Sequence, residues 1–180
     1  RVGGWLPNGP PGVEYCDIMG AQHEIPLMVS AYQKGIRNYD VDKAYEAVKK
    51  TLTTQGTALS SGGIVGNRHL DVYLKYGFVP YGEKSHHNVF GTTYEGPTSN
   101  TLEYAFDDWN AAQFAKALGY EEDYDYFTRR AYNYKNVFDS ETKYVRPKYS
   151  DGTWMPDFEP INKDEHSTSW SWLGSGFVEG

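Results

Sequence analysis

An all-α fold is what this sequence predicts, and three observations predict it. Apolar residues recur at helical spacing in successive windows. Cap and stop residues flank those windows. No two runs of alternating apolar and polar residues read as a paired hairpin.

The elements follow in order. Residues 1–20 are rich in turn formers, with Gly3-Gly4 and Pro7-Asn8-Gly9-Pro10-Pro11-Gly12, and read as loop. Pro26 suits a first helical turn, and Leu27, Met28, Ala31, Tyr32 and Gly35 follow at helical spacing. Asn38-Tyr39-Asp40 interrupts that helix. Asp40 then serves as N-cap of a second one, whose stripe is Val41, Ala44, Tyr45, Val48 and Leu52. Ser60-Ser61-Gly62-Gly63 reads as a flexible connection, and a short helix around Leu70, Tyr73 and Leu74 ends at Gly77. The stretch from Phe78 to Ser99 has no period and reads as a long loop, the kind that carries function. Asn100-Thr101-Leu102-Glu103 resembles a capping box with Asn for Ser. It opens a helix that carries Leu102, Ala105, Phe106, Trp109, Ala112 and Ala117, stopped by Gly119. A last helix runs from about Glu121 to Phe138, with Tyr124, Phe127, Ala131, Tyr134 and Phe138 inward. Beyond Asp139 the chain is irregular. Helical pairs joined by loops suit a toroid or a solenoid.

Charge and composition exclude several functions. The chain has 17 basic and 24 acidic residues, a net −7, which is the wrong sign for a nucleic-acid backbone binder. No apolar run approaches the roughly 18 residues of a membrane span. Cys16 is the only cysteine, so neither an intrachain disulfide nor a thiolate zinc site can form. The 16 Tyr, 8 Phe and 5 Trp separate the chain from disordered sequences despite a mean hydropathy of −0.68. Such rings, apolar in body and polar at the tip, suit a wet sugar-lined cleft as well as a core. The chain opens on Arg1-Val2-Gly3-Gly4-Trp5, with neither an initiator Met nor a leader pattern. It closes on Phe177-Val178-Glu179-Gly180. Both ends read as cuts through structure, so residues 1–180 are expected to be one piece of a longer protein, with no internal boundary.

Among chemical motifs, His23-Glu24-Ile25-Pro26-Leu27 lacks the second histidine of a zincin helix. No phosphate loop, dinucleotide fingerprint or EF-hand loop occurs, and Gly174-Ser175-Gly176 is not a nucleophile elbow. Cys16 reads as a small buried thiol rather than as a nucleophile paired with His23. Carboxylates amid aromatics remain. Glu103 and Asp107 are an i,i+4 pair on one helix face, beside Asp108. They either bind something or form a capping glutamate and a solvated acidic face, and the spacing leaves both open. Glu179 follows Trp170, Trp172 and Phe177. An apolar surround would raise its pKa, as a general acid requires, whereas an ordinary surface glutamate needs no such surround.

Several segments, in order, resemble family 92 of the glycoside hydrolases, calcium-dependent exo-α-mannosidases. Gly4-Trp5-Leu6-Pro7 looks like the family's loop before a first matched helix. Ile18-Met19-Gly20 through His23, Ile25-Pro26 and Ala31-Tyr32-Gln33-Lys34-Gly35-Ile36-Arg37 is similar to its Met-Ile-Gly-x-His-x-Ile-Pro…Ala-Tyr-x-Lys-Gly segment. Tyr73-Leu74-Lys75-Tyr76-Gly77-Phe78-Val79-Pro80 matches another. The most specific match is Thr101-Leu102-Glu103-Tyr104-Ala105-Phe106-Asp107-Asp108-Trp109, against a Thr-Leu-Glu-Tyr-Ala-x-Asp-Asp run. Asn133-Tyr134-Lys135-Asn136-Val137-Phe138-Asp139 and Arg146-Pro147 follow in the family's order. Val178-Glu179-Gly180 looks like the start of Glu-Gly-Asn-x-Trp-Gln-Tyr. Departures are an extra residue within Gly20-Ala21-Gln22-His23, Ser30 for a usual Asp, and a long, His-rich stretch from Ser85 to Ser99.

The resemblance implies a piece of an (α/α)6 catalytic toroid. It implies hydrolysis of terminal α-linked mannose with inversion, assisted by calcium, with Glu179 as general acid and the base beyond Gly180. Trp5, His23, Glu103 and Asp107 would bind substrate; His86 and His87 lie outside the family motif and read either as rim residues or, more simply, as loop histidines with no role. The implied partners are a mannose-containing glycan and the rest of the same polypeptide, namely an N-terminal β domain and the remaining toroid helices. The implied location is periplasmic, cell-surface or secreted. Two rivals stand beside this reading: another helical-toroid glycosidase, and a non-catalytic carbohydrate-binding or helical interaction module.

Overall fold

The computed structural model describes residues 3–7, 22–58, 64–82, 97–156 and 158. The order is α1 (Glu24–Gln33), α2 (Val41–Thr53), β1 (Thr57–Ala58), β2 (Ile64–Val65), α3 (Leu70–Tyr76), α4 (Pro97–Leu118) and α5 (Glu121–Ala131), then a 3-10 turn, Tyr132–Val137. The all-α class holds, as a stretch of a helical toroid. The strand pairing among the described residues is slight: one short hairpin and two isolated bridges, Phe138–Val145 and Lys148–Trp154. β1 and β2 pair antiparallel across Thr57–Val65 and Ala58–Ile64, where the sequence predicts only a flexible connection. Two residues on each side are too few to show the alternation that betrays a strand.

α4 is the axis of the packing. It lies against α1, α2, α5 and the 3-10 turn, most extensively against α5. Leu6, Ile25, Val29, Tyr32, Tyr45, Val48, Leu52, Phe114 and Phe127 form the main core with Ala111, Ala112 and Ala115. Phe114 is its aromatic centre, with the Tyr32 ring 5.1 Å away and the Tyr45 ring edge-on at 5.5 Å. The small alanines let α1 and α2 approach α4 closely. A second cluster, Leu70, Tyr73, Val79 and Tyr104, closes around α3.

Local signals set several boundaries. Asp40 caps α2, its Oδ1 accepting from the Lys43 N–H at 3.0 Å. Gly119 ends α4 with φ +82°. The Tyr120 N–H donates to the Ala115 carbonyl there and the Gly119 N–H to the Lys116 carbonyl, so the last carbonyls are not left orphaned. α5 starts immediately afterwards, which folds it back onto α4.

Other boundaries differ from expectation. α1 starts at Glu24 with His23 as its cap residue, so Pro26 sits in the first turn, where its missing N–H costs nothing. The inward face is therefore Ile25, Val29 and Tyr32, and Leu27 is 72% exposed. α4 starts at Pro97, the favoured first-turn position for proline, and Asn100 lies inside the helix rather than capping it. Thr101 instead donates its hydroxyl to the Pro97 carbonyl at 2.8 Å and accepts the Val79 N–H at 2.9 Å. That bond pins the segment after α3 to α4. Phe106 and Trp109 are half exposed, and the inward face is Thr101, Tyr104, Asp107, Asp108, Ala111, Phe114 and Ala115. The expected last helix breaks after Ala131. The tighter 3-10 winding turns Tyr134 and Phe138 off the Phe127–Ala131 face, and both are exposed. The segment after it is tied by Asp139, which accepts from Glu141 N–H, Thr142 Oγ1 and Arg146 Nη1.

Candidate functional site

Two buried carboxylates, side by side on α4, organise the middle of the molecule. Asp107 and Asp108 are both 0% exposed. A helical step of one residue turns successive side chains about 100° apart, so neighbours in sequence face different elements.

Asp108 faces α3 and α5. Arg130 Nε donates to Oδ2 at 3.1 Å, and its Nη2 stands in ion-pair contact with Oδ1 at 2.9 Å. The Tyr73 hydroxyl lies 2.9 Å from Oδ2. Arg130 Nη1 continues to the Leu52 carbonyl at 2.8 Å and the Tyr126 hydroxyl at 3.2 Å. Burial pushes Asp108 up to about 7, against the opposing pull of Arg130 and Tyr73. The Tyr73 hydroxyl is raised as well, chiefly by burial and then by the Asp108 charge. Four elements meet here, so this group is a structural tie.

Asp107 faces the entry of α1. Its Oδ2 accepts the Gln22 backbone N–H at 3.1 Å, and its Oδ1 has no hydrogen-bond partner among the described residues. The Gln22 carbonyl accepts from the Ile25 N–H at 2.8 Å, completing the turn that holds His23. The Gln22 side chain reaches the Gly66 carbonyl at 3.5 Å. Gly66 follows β2 with φ +74°, and a Cβ there would stand 2.7 Å from Cζ3 of Trp5, so only glycine lets the indole lie against this turn. The Asp107 carboxyl is raised well above the usual carboxylate range, first by burial, then by the charges of Glu24, Asp108 and Glu103; the Gln22 N–H opposes this. Glu24 is pushed up to about 7 by burial.

The residues expected to bind substrate thus fall into three environments. Asp107 is sealed. Glu103, half-buried, and Glu24 are close enough for their charges to raise it. His23 is exposed at the start of α1, and its side chain makes no capping bond. Trp5 is 7% exposed, packed on Gly66, with the Lys50 ammonium 4.7 Å above its ring. Lys50 is held in place by a bond to the Gly3 carbonyl. Trp109, half exposed, stands apart on the outer face of α4. Glu179 lies outside the described residues, as do Trp170, Trp172, Phe177, His86, His87 and Cys16.

Gln22 and Glu24 carry no role in the sequence reading, where His-Glu-Ile-Pro serves only to exclude a zincin. Asp108 appears there only as part of an acidic helix, and Arg130 not at all. The signal for the ion pair was faint: a cation in the last turn of α5, where dipole complementarity explains it equally well.

Oδ1 of Asp107, Oε1 of Glu24 and Oε1 of Gln22 are hard oxygen donors of the kind calcium takes, buried without a partner among the described residues. Calcium asks for six to eight such oxygens. No group of three or more His, Cys, Asp or Glu residues among the described ones is placed to hold a metal. The described residues by themselves do not make a calcium site.

Comparison with known proteins brings the fold and the site under one heading. Residues 1–179 match the family model described as the glycosyl hydrolase family 92 catalytic domain. The structure of an inverting family GH92 mannosidase from Bacteroides thetaiotaomicron superposes with a TM-score of 0.70 and 31% identity. It covers 84% of this chain and 19% of its own. A family GH92 α-mannosidase of the same organism gives 0.66 and 33%, over 82% of this chain and 17% of its own. An uncharacterized secreted glycosidase from Arthroderma benhamiae is 27% identical over 164 residues, 84% of this chain and 20% of that protein. The chain therefore spans about a fifth of the length of these relatives.

Proposed function

The chain belongs to glycosyl hydrolase family 92, and from that premise we propose that it is a stretch of the catalytic toroid of a longer exo-acting α-mannosidase. Residues 1–180 form part of one domain, and the protein removes terminal α-linked mannose from glycans with inversion. The observation that carries this is the unbroken match of residues 1–179 to the family's catalytic domain. The two superposed bacterial structures, both mannosidases, support the choice of sugar.

An inverting glycosidase places a protonated acid at the leaving oxygen and a base behind a water on the opposite face of the ring. Glu179 takes the acid's part, because its place in Val178-Glu179-Gly180 matches the family motif. Trp170, Trp172 and Phe177, near it in sequence, would keep its carboxyl protonated at neutral pH. The base comes from outside this chain. Trp5, His23 and Glu103 serve the mannose-binding side, His23 from the exposed start of α1, and Asp107 supports it from beneath rather than by touching the sugar. The calcium requirement rests on family membership, with ligands outside the described residues. A periplasmic, cell-surface or secreted location is in keeping with the secreted relative. No helix among the described residues is long and apolar enough to cross a membrane.

The test uses the full-length protein and an α-mannoside, with the anomer of the first-formed mannose read by NMR. Release of β-mannose is expected, and prompt loss of turnover in EDTA that added calcium restores. Glu179→Gln should cut turnover on a glycan about 10²–10⁴-fold, the range for general acid catalysis, and do much less harm on an activated aryl mannoside. Equal losses on both substrates would remove the acid assignment. Sugar binding without turnover would favour the carbohydrate-binding module.

A further inference from the structure

We propose that Asp107 is a positioning residue that acts through His23: its carboxyl clamps the Gln22 backbone and so fixes the turn that presents the imidazole to substrate. This rests on the reading of His23 as a residue of the mannose-binding rim.

Asp107 cannot itself meet a sugar in this arrangement, because it is 0% exposed. What it does hold is defined. The Gln22 N–H, 85 positions away in sequence, donates to its Oδ2 at 3.1 Å. Gln22 is 3% exposed, so without that carboxyl its amide would be a buried donor with nothing to bind. The same residue is held from the other side, where its Nε2 reaches the Gly66 carbonyl at 3.5 Å and Trp5 lies against Gly66. The next residue, His23, is the first exposed one after this double clamp, and its side chain is not spent on capping α1. A buried anchor, a fixed backbone and an exposed imidazole thus follow one another along the chain.

The clamp needs an acceptor oxygen at Oδ2 and nothing more. Among the described residues the Gln22 N–H is the donor to the Asp107 carboxyl, and the charges of Glu24, Asp108 and Glu103 raise it. Arg130 is committed to Asp108. A carboxamide can therefore replace the carboxyl, since it offers the same oxygen to the Gln22 N–H. A role that needs the negative charge of the carboxylate would not survive that replacement.

The experiment compares Asp107→Asn, Asp107→Ala, His23→Ala and the Asp107→Ala/His23→Ala double variant of the full-length enzyme on an α-mannoside. Melting temperatures run in parallel. Asp107→Ala is expected to lower kcat/KM about 10²-fold, the scale of a catalytic group misplaced by about 1 Å. Asp107→Asn should restore it to within about tenfold of wild type. The two alanine changes should not add: once the clamp is gone, removing the imidazole should cost little more. Asp107→Asn as damaged as Asp107→Ala, beside a damaged His23→Ala, overturns the clamp and leaves the reading of the site intact. Additive losses overturn it as well. His23→Ala as active as wild type overturns the rim assignment and the proposal with it. Should Asp107→Ala not fold, the Asn variant alone decides.

Discussion

Asp107 and Asp108 are neighbours, equally buried, and built into opposite kinds of environment. Asp108 has a guanidinium hydrogen-bonded to one oxygen and in ion-pair contact with the other, a tyrosine hydroxyl, and elements on three sides closed around it. Asp107 has one backbone amide, an oxygen without a partner among the described residues, and three carboxyls for company. The first arrangement is what a structural charge needs, since a buried ion is tolerated only when paired and hydrogen-bonded. The second leaves polar capacity unspent beside an exposed histidine. One helical step separates the carboxylate that ties four elements together from the one that holds the turn before α1.

The largest expected effect is on the Asp108 side. Asp108→Ala leaves Arg130 charged, 8% exposed and without its carboxylate. Breaking such a pair typically costs about 3–5 kcal/mol, so a large fall in the urea midpoint or in Tm is expected. A variant as stable as wild type would show that the pair is not the tie described here.

On the Asp107 side the next effect depends on pH. Glu24 holds its proton to about 7 in the fold but only to about 4.5 in an unfolded chain. Between those values the folded state binds more protons, so stability falls as pH rises, and the loss is complete above about pH 8. At roughly 1.4 kcal/mol per unit, the shift from 4.5 to about 7 puts the loss at no more than about 3.5 kcal/mol. Asp107, raised for the same reason, pulls in the same direction. Glu24→Gln should match wild type near pH 4 and become the more stable of the two above pH 7. Parallel stability curves for the two proteins from pH 4 to 8 would remove the burial argument for Glu24.

The smallest effect sharpens the contrast. Tyr73→Phe removes one donor from Asp108 but leaves Arg130 in place. A loss of about 1 kcal/mol is expected, the usual scale for one hydrogen bond. A loss as large as that of Asp108→Ala would mean that the tyrosine, not the arginine, carries the site.

How far the sequence could be read depended on the range of the interaction. The Asp40 cap and the Gly119 stop depend on bonds to residues at most five positions away, and both were legible. The inward face of α4 was not. Apolar side chains lie all round this helix, so its sequence has no stripe to find, and tertiary contact alone picked Tyr104 and Phe114 over Phe106 and Trp109. The start of α4 was misread because Asn100 and Glu103 have cap spacing, while Pro97 and the Thr101 hydroxyl made better use of the first turn. The expected continuation of the last helix to Phe138 failed where the backbone tightened, which no residue type in Tyr132–Val137 announces.

By itself the sequence determined the all-α class, most helices and the family, because these rest on residue order: spacing along a helix, cap chemistry, and a Thr-Leu-Glu-Tyr-Ala-x-Asp-Asp run. It also marked Asp107 as a residue of interest. Only the tertiary structure decided what that residue holds. The partner of Asp107 is a backbone amide 85 positions away, and that of Asp108 is a guanidinium 22 positions away. The two carboxylates are the same residue type on the same helix, so their charge states and partners are set by the elements that fold against each face.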